Sequence, residues 1–374
     1  MKSDDSRTTL SRRAFFGCGL ASAGAMLFAP SVLGSRKMEG AEARYYEKLS
    51  RNLVQCHLCP WECTVRPAGR GRCEVRENRE GTFYSLVYGE VASFYNDPIE
   101  KKPFYHFLPG RTAFSIATAG CNVECKFCQN WELAQRRPED LPSVFMKPKA
   151  LAEAAVRAGS AAVAYTYNEP TIFAEYMIDT AAASREIGLR NVVISNGFMN
   201  PEPLRDLCRV IDAYKVDLKG FSESYYEKFV GGRLAPVLRS LEILKQEGIW
   251  TEIVYLVVPT LNDSDKEIRE MCRWVLHELG PDVPVHFSRF HPKYKLLNLP
   301  PTPISTLEKA WRIGRDVGLP YVYLGNVPGH PGGDTACPAC GGKVISRIGY
   351  RVTGFQMKEN RCARCGDQIP GVWI

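Results

Sequence analysis

Closely spaced cysteines are the feature that most restricts how this chain can fold. Fourteen cysteines occur in 374 residues, and most of them fall into three groups. The groups are a quartet at Cys56, Cys59, Cys63 and Cys73, a triplet at Cys121, Cys125 and Cys128, and a quartet at Cys337, Cys340, Cys362 and Cys365. Thiols only two or three residues apart can converge on one centre, so this spacing favours metal ligation over disulfides. The sequence therefore predicts three metal centres.

Composition places the chain among soluble globular proteins. Hydrophobic residues make up 45% and charged residues 24% of the sequence, which excludes wholesale disorder and a protein with many membrane spans. The length leaves room for two or three domains. The net charge of +7 is modest, and no run of like charges marks a nucleic-acid-binding tail, so a nucleic-acid partner is neither demanded nor excluded.

Residues 1–35 have the pattern of a targeting segment. Arg12 and Arg13 directly precede an apolar stretch from Ala14 to about Leu33, which resembles a twin-arginine export signal. An accidental arginine pair before an anchor helix is the alternative, and cleavage stays open. We expect a periplasmic or membrane-anchored protein, with a cytoplasmic location as the alternative. Residues 36–52 predict a helical or flexible spacer at the start of an amino-terminal module over residues 36–110.

Short β-rich runs alternate with amphipathic helical stretches over residues 111–332. This alternation predicts an α/β fold of repeated βα units that form a parallel sheet or a barrel. The helices include Thr171–Ile187 and Leu238–Glu247, which end near Gly188 and Gly248. The predicted strands are Ala113–Ala119, Ala161–Tyr167, Asn191–Ser195, Tyr214–Leu218, Thr251–Val258 and Pro284–Arg289, with Tyr321–Gly325 as a possible seventh. Ligands bind at the carboxyl ends of such strands, where polar residues cluster in this sequence.

The central triplet, with C-x3-C-x2-C spacing, directly follows the first of these strands. Three thiolates on one short loop can hold three corners of a cubane iron–sulfur cluster and leave the fourth iron open for chemistry. A structural zinc loop completed by a distant ligand is the alternative.

This loop, with Phe127 before its third cysteine, resembles the signature of the radical S-adenosylmethionine (SAM) superfamily. The resemblance implies a partial (βα)6 barrel and a [4Fe–4S] cluster on Cys121, Cys125 and Cys128. It implies that the open iron binds the methionine moiety of SAM, and that an electron from the cluster cleaves SAM to a 5′-deoxyadenosyl radical. That radical takes a hydrogen atom from the substrate.

The same resemblance suggests contacts to SAM at the ends of later strands. Glu169, in Tyr-Asn-Glu-Pro where the family usually has Gly-Gly-Glu-Pro, is the candidate acceptor for the ammonium group. Lys219 is the candidate partner for the carboxylate. The remaining candidate cofactor-binding residues are Phe127, Ser195, Asn196, Asp217 and, on the adenine side, His291. A turn, a helix cap or a loop histidine is the structural alternative for each of these residues.

The two flanking quartets differ in how clearly they indicate a metal. Two C-x2-C pairs in residues 333–374 have the spacing of a zinc ribbon, which predicts a structural zinc on Cys337, Cys340, Cys362 and Cys365. A module of about 40 residues has little core, so the metal is expected to hold it folded. For Cys56, Cys59, Cys63 and Cys73, zinc and an auxiliary iron–sulfur cluster both fit, and His57 is a lesser candidate ligand.

A more specific resemblance covers about Cys56 to Trp373. It rests on the segment from Asp97 to Gly110, on Gln129-Asn130-Trp131, and on the run from Gly325 to His330. These residues are similar to the radical SAM enzyme of the AmmeMemoRadiSam system, a relative of pyruvate formate-lyase activating enzymes. The resemblance implies an oxidoreductase acting alongside AMMECR- and Memo-family proteins, a flavodoxin or ferredoxin as electron donor, and a protein substrate. The alternatives are an exported iron–sulfur redox or sensor protein and an RNA-directed enzyme or binding module.

Overall fold

The computed structural model describes residues 38–373. The predicted export signal, with Arg12 and Arg13, lies outside these residues. Within the described part of the chain, no helix is long and apolar enough to cross a membrane.

Short antiparallel strands build the amino-terminal part of the protein. They are β1 Ala41–Glu42, β2 Tyr46–Lys48, β3 Val54–Cys56, β4 Thr64–Val65, β5 Arg76–Arg79, β6 Thr82–Ser85 and β7 Glu90–Val91. Six of these strands form two three-stranded sheets, in the orders β1-β6-β5 and β2-β3-β4, and β7 pairs outside them. The quartet of cysteines lies on and between these strands, so its loops share one framework.

The helical alternative for the spacer over residues 36–52 is wrong for the part that is described. Ala41 pairs with Ser85 and Tyr46 pairs with Cys56, so this stretch contributes β1 and β2. A 3-10 turn over Ser50–Asn52 is its one helical element. Helix propensity is a weak preference that tertiary pairing overrides, and here the partner strands belong to the cysteine module.

An eight-stranded sheet carries the rest of the fold. Its strands are β8 Ser93–Pro98, β9 Thr112–Ala117, β11 Ala162–Tyr165, β12 Arg190–Ser195, β13 Ala213–Leu218, β14 Trp250–Val257, β15 Val285–Arg289 and β16 Val322–Gly325, while β10 Val144–Phe145 pairs with β7. The order is β16-β15-β14-β13-β12-β11-β9-β8. Seven strands run parallel, and β8 pairs antiparallel with β9 at one edge. All six predicted strands occur, the possible seventh is β16, and the antiparallel edge strand was not predicted.

Helices connect the parallel strands, as the βα alternation predicts. They are α1 Trp131–Ala134, α2 Pro148–Arg157, α3 Ala174–Glu186, α4 Pro201–Cys208, α5 Glu223–Tyr225, α6 Leu234–Gln246, α7 Asp265–Trp274 and α8 Ile304–Val317. The helix predicted from Leu238 starts one turn earlier, at Leu234. Gly188 and Gly248 follow α3 and α6 with φ of +81° and +68°, the left-handed conformation that ends a helix.

Alternation along the strands separates two apolar clusters. In β11, Val163 and Tyr165 belong to the large cluster that the helices cover, whereas Ala162 and Ala164 belong to a smaller cluster with Phe104. Successive strand residues face opposite sides of a sheet, so small side chains on one side leave room for the segment after β8. That segment therefore fills one end of the inner face of the sheet.

The carboxyl-terminal part is a separate set of short strands. They are β17 Thr335–Ala336, β18 Lys343–Ile348, β19 Arg351–Phe355, β20 Met357–Lys358 and β21 Arg361–Cys362. Arg347 is buried and donates hydrogen bonds to the carbonyl oxygen of Tyr105 at 2.7 Å and to Thr335 Oγ1 at 2.8 Å. This guanidinium therefore fastens the carboxyl-terminal strands to the segment that fills the sheet.

Candidate active site

A cavity of about 370 Å³ opens where the parallel strands end. Its volume falls in the usual range for small-molecule sites. The cavity brings together nearly all residues that the sequence predicts for cluster and cofactor binding: Cys121, Cys125, Phe127, Cys128, Glu169, Ser195, Asn196, Asp217 and Lys219. His291 is exposed and does not line this cavity. The carboxyl ends of β9, β11, β12 and β13 therefore converge on one site.

The loop that carries the three thiols begins with a sharp turn at Gly120. Its φ is +89°, and a Cβ atom there would lie 2.6 Å from Val75 Cγ1 and 2.8 Å from the Cys73 carbonyl oxygen. Only glycine fits such a close approach without a shift of its neighbours. The turn therefore sets the direction in which the cysteine loop leaves β9.

The three thiols of the loop differ in exposure, with Cys125 buried and Cys121 and Cys128 partly buried. Burial raises the pKa of Cys125 to about 12 and raises the pKa of Cys121 well above its usual range, with the nearby Lys219 opposing the shift at Cys125. Such thiols stay protonated until a cation takes the place of the proton. A three-thiol loop that lines a cavity has the donor set that a cubane cluster with one open iron requires, so these residues fit that cofactor.

Glu169 is a fully buried carboxylate at the centre of the cavity wall. Oε1 accepts hydrogen bonds from Thr171 N at 2.9 Å and from Ser195 Oγ at 2.6 Å, and Oε2 accepts from Asn196 N at 2.8 Å. Burial raises the pKa of Glu169, and these donors oppose the shift. The carboxylate is held in one orientation, with lone pairs remaining for a cationic ligand.

Asn196 joins the end of β12 to the cysteine loop. Its side-chain amide donates to Asn122 Oδ1 at 2.9 Å, and its Oδ1 accepts from Phe198 N at 2.8 Å. Its Nδ2 lies 4.0 Å from Cys121 Sγ. Asn122 was not predicted, because its role depends on a partner 74 residues away.

Asp217 and Lys219 sit at the end of β13 with a third charge that the sequence analysis missed. Lys219 Nζ lies 3.0 Å from Asp217 Oδ2, and the buried Lys215 pairs with Asp217 Oδ1. Burial works against ionisation of Asp217, but the two ammonium groups outweigh it and hold its pKa at about 2. Lys215 and Asp217 are two residues apart on a strand and share a face, a signal that could have identified Lys215.

A second missed cluster lies beside the motif at the end of β11. Tyr167 has φ of +69°, the left-handed region that favours glycine, at a position where the related motif has glycine. Its hydroxyl donates to Asp97, which also pairs with Lys102 at 2.6 Å, and Lys102 Nζ stands 4.4 Å from the centre of the Tyr167 ring. Burial lowers the pKa of Lys102 to about 8, although the neighbouring Asp97 acts to raise this pKa. These contacts hold the unusual backbone in place.

Asn168, whose role the sequence left open, braces the same turn. Its amide donates to the Gly120 carbonyl oxygen at 3.0 Å, and its Oδ1 accepts from Thr118 N at 3.2 Å. Asn168 thus positions the cysteine loop.

The carboxyl-terminal quartet forms a compact set of sulfur atoms. Its four Sγ atoms all lie within 4.8 Å of one another, and among the described residues this is the one group of three or more cysteine, histidine or carboxylate ligands that is so close. The Cys337–Cys365 and Cys340–Cys362 sulfur separations are 3.6 and 3.8 Å. Zinc–thiolate bonds of about 2.3 Å in a tetrahedron set sulfur separations of about 3.8 Å, so the quartet fits zinc.

The amino-terminal quartet is arranged differently. Its four cysteines line one small cavity of about 20 Å³. His57 lies 3.6 Å from Glu47 through Nε2 and does not line that cavity. The two remaining described cysteines, Cys208 and Cys272, are buried in the main apolar core, as expected for isolated thiols in helices.

Comparison with known proteins agrees with this site. The model of the radical SAM superfamily matches residues 115–274, which span the cysteine loop and the strand ends described above. Residues 115–274 of the chain therefore form a radical SAM domain. The uncharacterized protein MJ0808 of Methanocaldococcus jannaschii is 44% identical over 330 residues, covering 88% of this chain and 98% of that protein, so the two share one family.

More distant similarity reaches the activating enzymes. The pyruvate formate-lyase 1-activating enzyme of Escherichia coli is 24% identical over 255 residues, covering 63% of this chain and 99% of that protein. A domain of a pyruvate-formate lyase-activating enzyme from Bacteroides vulgatus has a TM-score of 0.40 at 16% identity, covering 45% of this chain and all of that one. The chain is thus a relative of pyruvate formate-lyase activating enzymes.

Proposed function

We propose that this chain is an activating-enzyme-like oxidoreductase that binds a [4Fe–4S] cluster through Cys121, Cys125 and Cys128, and that it acts on a protein. The observation that supports this most directly is that the three thiols share one cavity with Glu169, Asn196 and Lys219. When bound there, the cluster and SAM supply a 5′-deoxyadenosyl radical.

The residues of the cavity have separate tasks in this proposal. Glu169, held by three hydrogen bonds, accepts from the SAM ammonium group. Lys219 pairs with the SAM carboxylate, and Asp217 holds the Lys219 ammonium group in place. Asn196 holds the end of β12 against the cysteine loop. The buried Phe127 excludes water from the thiols and packs against the Tyr225 ring at 6.2 Å.

A protein substrate is proposed from the relation to the activating enzymes, one of which is named for its action on pyruvate formate-lyase. The cavity extends from the thiols past Lys215 to Tyr350, a half-exposed residue between β18 and β19. Tyr350 thus gives the carboxyl-terminal part of the chain a contact on the substrate side of the cavity.

Partners and location complete the proposal. A flavodoxin or ferredoxin supplies the electron, AMMECR- and Memo-family proteins act alongside the enzyme, and Arg12 and Arg13 direct export by the twin-arginine route. Changing both arginines to lysine should retain the full-length protein in the cytoplasm. An unchanged distribution between compartments would show the arginine pair to be a coincidence.

The central test is SAM cleavage by anaerobically prepared protein with a strong reductant. The wild type should form 5′-deoxyadenosine and methionine, and Cys125→Ala should form neither, because two thiols cannot hold the cluster. Cys208→Ala is the matched control, because the Cys208 thiol is buried in α4 and is distant in sequence from the triplet. This variant should retain SAM cleavage. Cleavage by Cys125→Ala at the wild-type rate would refute the assignment of the triplet.

A further inference from the structure

The amino-terminal quartet encloses a space of its own beside the active site. Cys56, Cys59, Cys63 and Cys73 all line one small cavity, together with apolar side chains such as Phe83. The Cys56 amide donates to the Cys63 carbonyl oxygen at 3.0 Å, which fixes the first three cysteines as one loop. The fourth comes from the turn before β5, so the four thiols converge from two segments.

The spread of the sulfur atoms distinguishes the two metals that the spacing leaves open. A zinc ion holds four thiolates about 2.3 Å from its centre, which sets sulfur separations of about 3.8 Å. Among the described residues, only the carboxyl-terminal quartet has three or more such ligand atoms within 4.8 Å of one another, so the amino-terminal sulfurs are spread more widely than zinc would hold them. A cubane places four irons and four sulfides between its thiolates, so it requires the wider arrangement.

A buried guanidinium faces the same cavity. Arg76 lines it and is 1% exposed, and one of its terminal nitrogens pairs with Glu175. Among the described residues, its Nε and its other terminal nitrogen have no hydrogen-bond partner. Unpaired buried N–H groups carry a large desolvation cost, so they indicate an acceptor that completes the site. Inorganic sulfides and cysteine thiolates are such acceptors, and they can take hydrogen bonds from the two Arg76 nitrogens that Glu175 leaves unpaired.

The quartet is also in direct contact with the SAM site. Gly120, which precedes Cys121, packs against the backbone of Cys73. Trp61, between Cys59 and Cys63, donates through Nε1 to the Asn122 carbonyl oxygen at 2.7 Å, and Asn122 itself lines the quartet cavity. The two cysteine loops therefore touch through side chain and backbone.

We propose that Cys56, Cys59, Cys63 and Cys73 hold a second [4Fe–4S] cluster, with Arg76 donating to its sulfur atoms. Four thiolates fill all four corners, so this cluster offers no open iron to a substrate, and its chemistry is one-electron transfer. The inference stands apart from SAM cleavage and can fail while the proposed function holds.

The experiment measures iron, sulfide and zinc in anaerobically reconstituted full-length protein. The wild type should contain about eight irons per chain, and the variant Cys121→Ala/Cys125→Ala/Cys128→Ala should keep about four, with about one zinc in both. About four irons in the wild type and none in the triple variant, with about two zincs, would overturn the proposal.

A second variant keeps the test decisive if the triple variant does not fold. Cys59→Ser should lower the iron content of the wild type from about eight to about four, with zinc unchanged. Electron paramagnetic resonance of the reduced wild type should show two interacting clusters, and Cys59→Ser should show one uncoupled signal. An iron content near four in the wild type, unaffected by Cys59→Ser while zinc falls by half, would reject the second cluster. Cys208→Ala serves again as the control.

Discussion

The two cysteine quartets have the same donors but different surroundings. The carboxyl-terminal sulfurs lie within 4.8 Å of one another, and Cys365 is exposed. The amino-terminal sulfurs line a small cavity beside a buried arginine and the active-site loop. Donor identity and spacing in sequence are the same in kind for both quartets. The separation of the sulfur atoms, which depends on the fold, is what differs between them.

Breaking the carboxyl-terminal quartet should have the largest structural effect. Cys362→Ser would remove one ligand of the predicted zinc from a module whose own apolar core is small, and structural zinc contributes on the order of 10 kcal/mol to such folds. We expect loss of zinc and protease cleavage near Gly332, while the iron–sulfur absorption persists. A protected carboxyl terminus combined with lost SAM cleavage would reassign this metal from structure to chemistry.

The stability of the region around the amino-terminal quartet should depend on the buried ion pair between Arg76 and Glu175. Arg76→Met leaves Glu175 buried without its partner, which costs roughly 3–5 kcal/mol in the free energy of unfolding. Urea denaturation measures the loss. Adding Glu175→Gln should recover part of it, because the stranded charge is removed. A change below about 1 kcal/mol for Arg76→Met would mean that this pair does not stabilise the region.

The active site contains a cluster of charged residues around Asp217, and the contribution of this cluster to the free energy of unfolding should depend on pH. The pKa of Asp217 is held at about 2, below its usual 3.8. A carboxylate with a lowered pKa stabilises the fold above its unfolded pKa and loses that contribution as the pH falls towards its folded pKa. Asp217→Asn should cost about 2 kcal/mol at pH 6, and the gap to wild type should narrow from pH 5 to pH 3. Denaturation curves at several pH values check this, and a constant gap contradicts it.

Two glycines, one beside each quartet, allow a comparison of how tightly the thiols are packed. A Cβ at Gly71 would lie 3.9 Å from Cys73 Sγ and 4.0 Å from Cys63 Sγ, which is ordinary contact. A Cβ at Gly342 would lie 3.3 Å from Cys340 Sγ and from Arg364 Cδ, which is tight. We expect the Gly71→Ala variant to retain the iron content of the wild type. We expect Gly342→Ala to weaken zinc binding by less than about 1 kcal/mol. Competition with a zinc chelator measures the second, and equal behaviour of the two variants would show that the tighter packing has no effect.

Local sequence patterns predicted most of the fold and the centre of the site. Short β-rich runs that alternate with amphipathic helical stretches identified the parallel strands. The C-x3-C-x2-C spacing placed three thiols on one loop, and the family resemblance of the strand-end motifs assigned Glu169 and Lys219, which line the same cavity. These signals succeed because each one spans only a few residues.

What sequence patterns could not supply came from contacts between distant residues. The predicted spacer helix gave way to strands because Tyr46 pairs with Cys56. Arg76 and Glu175 are 99 residues apart, and Asp97 and Tyr167 are 70 apart, so no local pattern links them. The distance between sulfur atoms likewise depends on how whole segments pack. For that reason the spacing of the amino-terminal cysteines left zinc and an iron–sulfur cluster equally open, and the second cluster is proposed from how the packed segments spread the sulfur atoms.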